Sequence, residues 1–226
     1  MNELKVITNT AKALCSLHGY SLKIMKQVPD KLGGTSFCDC GTKQIVISKD
    51  VEYKNHATGK LEKYTYSDEE LGFIILHEVG HLLQFTEKTG YEFSNEIEGE
   101  DSDTIVDNCT DGKKTYKQEI MDEAFKYFIH VEEDADYRAR LLADALGVLK
   151  ESHTIELQHR AVYSKHAYLL KTGIWIHFPY QNKNLGLFAL KYKNGRELNK
   201  TFRKYFDSIV KEGPRTHIVR WENKTS

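Results

Sequence analysis

No apolar run in this chain approaches the roughly 20 residues that a bilayer-spanning helix requires. The stretch Leu71 to Leu76 is interrupted by Gly72 and followed closely by Glu78. The opening residues, Met1-Asn2-Glu3-Leu4-Lys5, lack the apolar core of a secretory signal. These two absences predict a cytoplasmic chain with no membrane partner. Charge of one sign is missing too: 32 Lys and Arg stand against 33 Asp and Glu. A formal net charge of −1 gives the whole molecule no attraction to nucleic acid. Cysteine is sparse. Of the four, Cys38 and Cys40 are too close to staple each other easily and lack the two-residue spacing of a zinc finger. None has the neighbouring His and carboxylate that a thiol nucleophile needs. All four are predicted to be free thiols in a reducing compartment, with Cys15 on the apolar face of a first helix. What remains is an ordinary globular balance, 40% hydrophobic and 29% charged over 226 residues. That length suffices for one good core, or a core domain with an appendage.

Against this background His77-Glu78-Val79-Gly80-His81 carries the most information. On a helix, residues four apart lie one turn above each other, so the two imidazoles share a face and can grip one zinc ion. Glu78 between them can take a proton from water activated by that ion, the arrangement of H-E-x-x-H peptidases. The flanks predict such a helix. Ser67 reads as an N-cap with Asp68, Glu69 and Glu70 in the first turn. Leu71, Phe73, Ile74, Ile75, Leu76, Val79, Leu82 and Leu83 then supply an apolar body.

A zinc that performs chemistry usually has three protein ligands and one open position. The continuation H-x-x-G-x-x-H that would supply a further His is absent, since Gln84 stands at its Gly position and Glu87 at its His position. A Glu from a second helix is the alternative. Glu119 to Lys150 is a long run of helix formers without Pro, with Ile120, Ala124, Phe128, Val131, Ala135, Ala139, Leu142, Ala145 and Leu149 at helical spacing. Glu132 and Asp136 lie four apart beside that stripe. Glu132 can reach the metal while Asp136 accepts the spare ring N–H of a ligand His. Taken on composition alone, four acids in five residues would instead read as a solvated face.

His77-Glu78-x-x-His81 followed by Glu132-x-x-Ala135-Asp136 resembles the gluzincin pattern, and among soluble members it is most similar to the ImmA/IrrE metallopeptidases. Glu132 to Leu142 has the shape of the family's segment after the motif helix, and the resemblance covers roughly residues 2 to 147. It implies His77, His81 and Glu132 as ligands of one Zn2+ ion, Glu78 as general base and Asp136 as the residue behind a ligand. It also implies regulated cleavage of a protein substrate, such as a transcriptional repressor. The chain departs from the family in reading Ala143-Asp144 where Met-Pro is usual, and in the length between the motifs.

The expected architecture is α+β: a mostly helical zincin-like core with a small sheet over residues 1–150, then a C-terminal extension over 151–226. A helix over Asn2 to Leu17 stops at His18-Gly19, a strand follows over Ser21 to Val28, and Phe37 and Lys43 to Ser48 form a hairpin. By analogy with the resembling enzymes, Gln44 to Ser48 is a candidate edge strand for pairing with an extended substrate, with an ordinary inner strand as the equal alternative. The stretch from Thr89 to Gly112 holds eight acids and no basic residue. It reads as a solvated loop or a lid over the cleft. Tyr137, Arg138, His153, His159, Tyr163 and His166 are candidates for stabilising an oxyanion. Beyond His153 a helix to Leu170, a strand over Leu185 to Lys193 and a helix over Glu197 to Lys211 are expected. Cations from Gln181 onward make that part a candidate surface for a partner, including nucleic acid. The competing function is a zinc-stabilised protein- or nucleic-acid-binding module that catalyses nothing.

Overall fold

The computed structural model describes residues 2–29, 35–54, 61–87, 96–110, 113–150, 152–153, 155–156, 159, 174–176 and 218–220. They form an α+β arrangement, and among them no helix is long and apolar enough to cross a membrane. The chain divides into two compact units, one of 1–54, 60–91 and 131–156, the other of 55–59, 92–130 and 157–226.

In the first unit, α1 (Glu3–Leu17) starts where Asn2 Oδ1 accepts a hydrogen bond from Lys5 N at 3.0 Å. It ends at His18 and Gly19, the latter at φ +74°, as the Gly stop predicts. Ile7, Ala11 and Cys15 recur at four-residue spacing on its buried face. Strands β1 (Ser21–Gln27), β2 (Phe37–Asp39), β3 (Gln44–Lys54) and β4 (Leu61–Thr65) make one mixed sheet. β1 pairs parallel with β3, whereas β2 and β4 pair antiparallel with it. The hairpin predicted from Phe37 and Lys43 is therefore present. Of the two readings of Gln44–Ser48, the inner strand holds over Gln44–Val46, which pairs with β1 on one side and β2 on the other and leaves no backbone edge for a peptide there. The buried Ile45 and Ile47 face the core.

Helix α2 (Asp68–Glu87) opens with a reciprocal cap. Ser67 Oγ accepts from Glu70 N at 3.3 Å, and Glu70 Oε2 accepts from Ser67 N at 2.9 Å. The helix is buried nearly all round, through Leu71, Phe73, Ile75, Leu76, Val79 and Leu82. It packs on α1, the sheet, and Ala139 and Ala143 of α4 (Gln118–Leu146) in one continuous core. Each fully buried Leu, Ile or Phe contributes about 1.5–3 kcal/mol, so the sheet and α1 serve as a rigid bed for α2. α4 ends four residues before the predicted Lys150, because Gly147 takes φ +65° and Val148 N turns back to bond Ala143 O at 3.0 Å.

The second unit contains α3 (Ser102–Thr110), the residues of α4 up to His130, and the strand pair β5 (Ile174–Ile176) and β6 (Ile218–Arg220). Ile105, Val106, Ile120, Ala124 and Phe125 form its apolar cluster. The acidic stretch read as a loop thus contains a helix with two buried aliphatic residues. Asp101 caps it, accepting from Thr104 N at 2.8 Å and Thr104 Oγ1 at 2.7 Å. The helix predicted over His153 to Leu170 lies largely, and the strand and helix predicted after Gln181 wholly, outside the described residues.

Candidate metal centre

The site belongs to the first unit and is made where α2 crosses residues 131–146 of α4. Gly80 permits the crossing. A Cβ there would meet Ala135 O at 2.7 Å and Ala135 Cα at 3.0 Å, both main-chain atoms that cannot swing away. Small residues on both helices bring the backbones close enough for short side chains to meet.

His77 and His81 stand on one face of α2 as their spacing predicts, ring centroids 4.6 Å apart and nearly perpendicular. Their Nε2 atoms are 3.0 Å apart. Glu132 reaches across from α4, with Oε2 3.3 Å from His77 Nε2 and Oε1 3.5 Å from His81 Nε2. Asp136, almost wholly buried, accepts from His77 Nδ1 at 2.7 Å. All five predicted positions are therefore brought together, with Glu78 buried on the same helix between the two His. His77, His81 and Glu132 form a set that could hold a metal ion.

The hydrogen bonds decide which ring atoms face inward. Asp136 fixes the proton of neutral His77 on Nδ1. For His81 the fixing residue is Gln84. Its Nε2 donates to Val131 O at 2.8 Å and to Asp134 Oδ2 at 2.9 Å, which leaves Oε1 to accept from His81 Nδ1 at 3.0 Å. In neutral rings both Nε2 lone pairs then point into one small space that also holds a carboxylate. Two imidazole lone pairs and a carboxylate brought this close suit a shared cation. His77 Nε2 lies 3.0 Å from His81 Nε2 and 3.3 Å from Glu132 Oε2, close to the edge of about 3.3 Å of a tetrahedron with metal–ligand bonds near 2.05 Å, while the 3.5 Å approach of His81 Nε2 is to the other carboxylate oxygen, Oε1. The donor set fits a zinc-type ion.

Without a cation, protons take up the tension. Burial opposes charging His77, but the carboxylates of Asp136 and Glu132 outweigh it and hold its pKa well above the usual imidazole value. Burial also opposes charge on Glu132, and the imidazoles of His81 and His77 outweigh it, keeping the carboxyl below its usual range. Glu78 goes the other way. Desolvation raises its pKa, the two His oppose this, and Glu132 and Asp136 add to it. Among the described residues none hydrogen-bonds its carboxylate.

The oxyanion candidates are less concentrated. Arg138 is engaged by Asp134 and Glu87, each at 2.7 Å, and His153 by Glu156 at 3.1 Å. Tyr137 is 47% exposed, with the Arg140 guanidinium 5.1 Å from its ring. His159 belongs to the second unit, and Tyr163 and His166 lie outside the described residues. The four cysteines are free thiols as predicted. Cys38 and Cys40 share a hydrogen bond, which pushes Cys38 up and brings Cys40 down to about 6. Gln84 was not anticipated. Its signal was available as an amide on the buried side of α2, one turn beyond His81. Comparisons with protein-family profiles, with curated proteins and with solved structures found no match to this chain.

Proposed function

We propose that the chain is a zinc-dependent peptidase of the gluzincin type, similar to the ImmA/IrrE enzymes, which hydrolyses peptide bonds in a protein substrate. The observation that carries this reading is the meeting of His77, His81 and Glu132 from two helices, with a buried carboxylate, Glu78, on the turn that bears the His pair. His77, His81 and Glu132 would hold one Zn2+ ion. When bound, such an ion supplies Lewis acidity, polarising a carbonyl and making water more acidic. Glu78 takes a proton from the attacking water on a carboxylate oxygen and delivers it to the departing amine nitrogen. Its carboxylate is buried, and desolvation raises its pKa above the ordinary value; a carboxylate of this kind can both take and return a proton. Asp136 holds the His77 ring in place and keeps its Nε2 turned inward. A purely structural ion has no use for a general base, which separates this reading from a silent zinc-stabilised binding module. The resemblance favours a regulatory protein, such as a repressor, as substrate.

Zinc content and cleavage of a fluorogenic peptide library, compared between the native chain and Glu78→Gln, test the proposal. Glu78→Gln is expected to keep the metal and lose about 10²–10⁴-fold in rate. A native chain that holds zinc yet cleaves nothing beyond the zinc-free background would sink the peptidase in favour of the binding module.

A further inference from the structure

The two imidazoles of the site are held by different means. His77 has a carboxylate partner of the usual kind. His81 has Gln84, a neutral amide able to present either an acceptor or a donor to the ring. Which it presents depends on what grips its other end. Val131 O is a carbonyl and can only accept, so the Gln84 Nε2 that meets it at 2.8 Å must be the NH₂ group. Asp134 Oδ2 makes the same demand at 2.9 Å. Asp134 is held in turn by Arg138, whose Nε donates to that same oxygen at 2.7 Å while its Nη1 donates to Glu87 at 2.7 Å. With both demands met, only Oε1 is left for His81 Nδ1. A ring that gives its Nδ1 proton to Oε1 keeps a bare lone pair on Nε2, the atom facing His77 and Glu132.

We propose that Gln84 is a positioning residue that fixes the tautomer of His81 for metal binding, its amide being oriented by Asp134 and Val131 of the facing helix. The inference rests on the metal-centre reading above and extends it. One helix supplies the His, and the other supplies the reason its lone pair points at the ion. It also accounts for Asp134, one of the two acids of 132–136 that the ligand pattern does not use. Asp134 orients the amide, and Arg138 keeps Asp134 in place. Partners of this kind behind a ligand typically contribute about 10- to 100-fold in metal affinity.

Two readouts test the relay, one needing no metal. Long-range ¹H–¹⁵N correlation on the imidazoles of the metal-free protein reports which nitrogen of neutral His81 carries the proton. The expectation is Nδ1 in the native chain and a shift toward Nε2 in Gln84→Met, which is close in shape but cannot hydrogen-bond in the same way. Zinc affinity by competition with a chromophoric chelator is expected to fall about 10- to 100-fold in Gln84→Met. A structural contribution alone would lower the thermal midpoint of the metal-free protein and leave the tautomer and the zinc affinity unchanged. The proposal is overturned by a native His81 protonated on Nε2, or by native affinity in Gln84→Met. A native chain that takes up no zinc would remove the peptidase reading, while the tautomer measurement would still decide the orientation by itself.

Discussion

Two stretches of α4 use burial for opposite purposes. Over Ile120, Ala124 and Phe125 the helix buries mainly bulk, packed with Ile105 and Val106 of α3. Over Ala135, Ala139 and Ala143 it buries three methyl groups and one carboxylate, that of Asp136. Bulk removes apolar area from water and stabilises. Small residues remove little area, but they let two backbones approach until polar side chains from both helices meet. The charges follow the same division. Around Glu100, cation and donor surround the acid: Lys114 and Tyr116 both bond its carboxylate, and Asn108 bonds Tyr116. At His77, His81 and Glu132, two imidazoles and a carboxylate from two helices converge instead on one small space. The first cluster holds its own counter-charge, and the second is a donor set that could hold a metal ion.

The largest way to break this contrast is Glu132→Ala. It removes one of three donors, and zinc affinity should fall by more than the roughly 100-fold reached by outer partners. Chelator competition on the native chain and variant would measure it. Zinc retained at native affinity would show that the third donor lies elsewhere. In the other stretch, Ile105→Ala should cost about 2–5 kcal/mol in urea unfolding, as expected for a fully buried aliphatic side chain. It should leave one zinc per chain, since no donor is touched. Gly80→Ala comes next. Replacing a mid-helix Gly by Ala ordinarily adds about 0.5–1 kcal/mol, but here the new Cβ meets the backbone of Ala135. The sign should therefore reverse, with a loss of about 1–3 kcal/mol by overpacking and weaker zinc binding as the helices part. A stabilised Gly80→Ala would show that the crossing is slack. Smallest of all is Lys114→Met. Its ammonium is half exposed over a partly exposed acid, so the unfolding midpoint should move within error; a clear shift would mean that the Glu100 cluster does more than solvate a surface.

The site was legible in the sequence because its chemistry is written in local spacings. His77 and His81 four apart, and Glu132 and Asp136 four apart, define two helical faces before any tertiary contact is known. Gln84 was legible only as a departure from the H-x-x-G-x-x-H continuation, since its role depends on Val131 and Asp134, residues 47 and 50 positions away. α3 was hidden by the acids of 89–112, whose number concealed the adjacent Ile105 and Val106 on a buried face. β4 was hidden for the opposite reason. Its apolar Leu61 points outward at 73% exposure while Glu62 and Tyr64 are half-buried, so alternation carried no apolar signal. The position of β3 within the sheet could not be read from its own residues, because a β-branched strand reads alike at an edge or inside.

The contact of Gly80 with Ala135 has a consequence for time as well as for affinity. A cage whose span is set by touching backbones is already assembled before its guest arrives, so capture involves little reorganisation and release leaves the walls standing. Stripping with a chelator and refilling should then be a fast, repeatable exchange at a standing socket, limited by the entry of the ion and the departure of the proton it replaces. On the metal-centre reading, folding would build this socket once, and each later exchange would use it without rebuilding it.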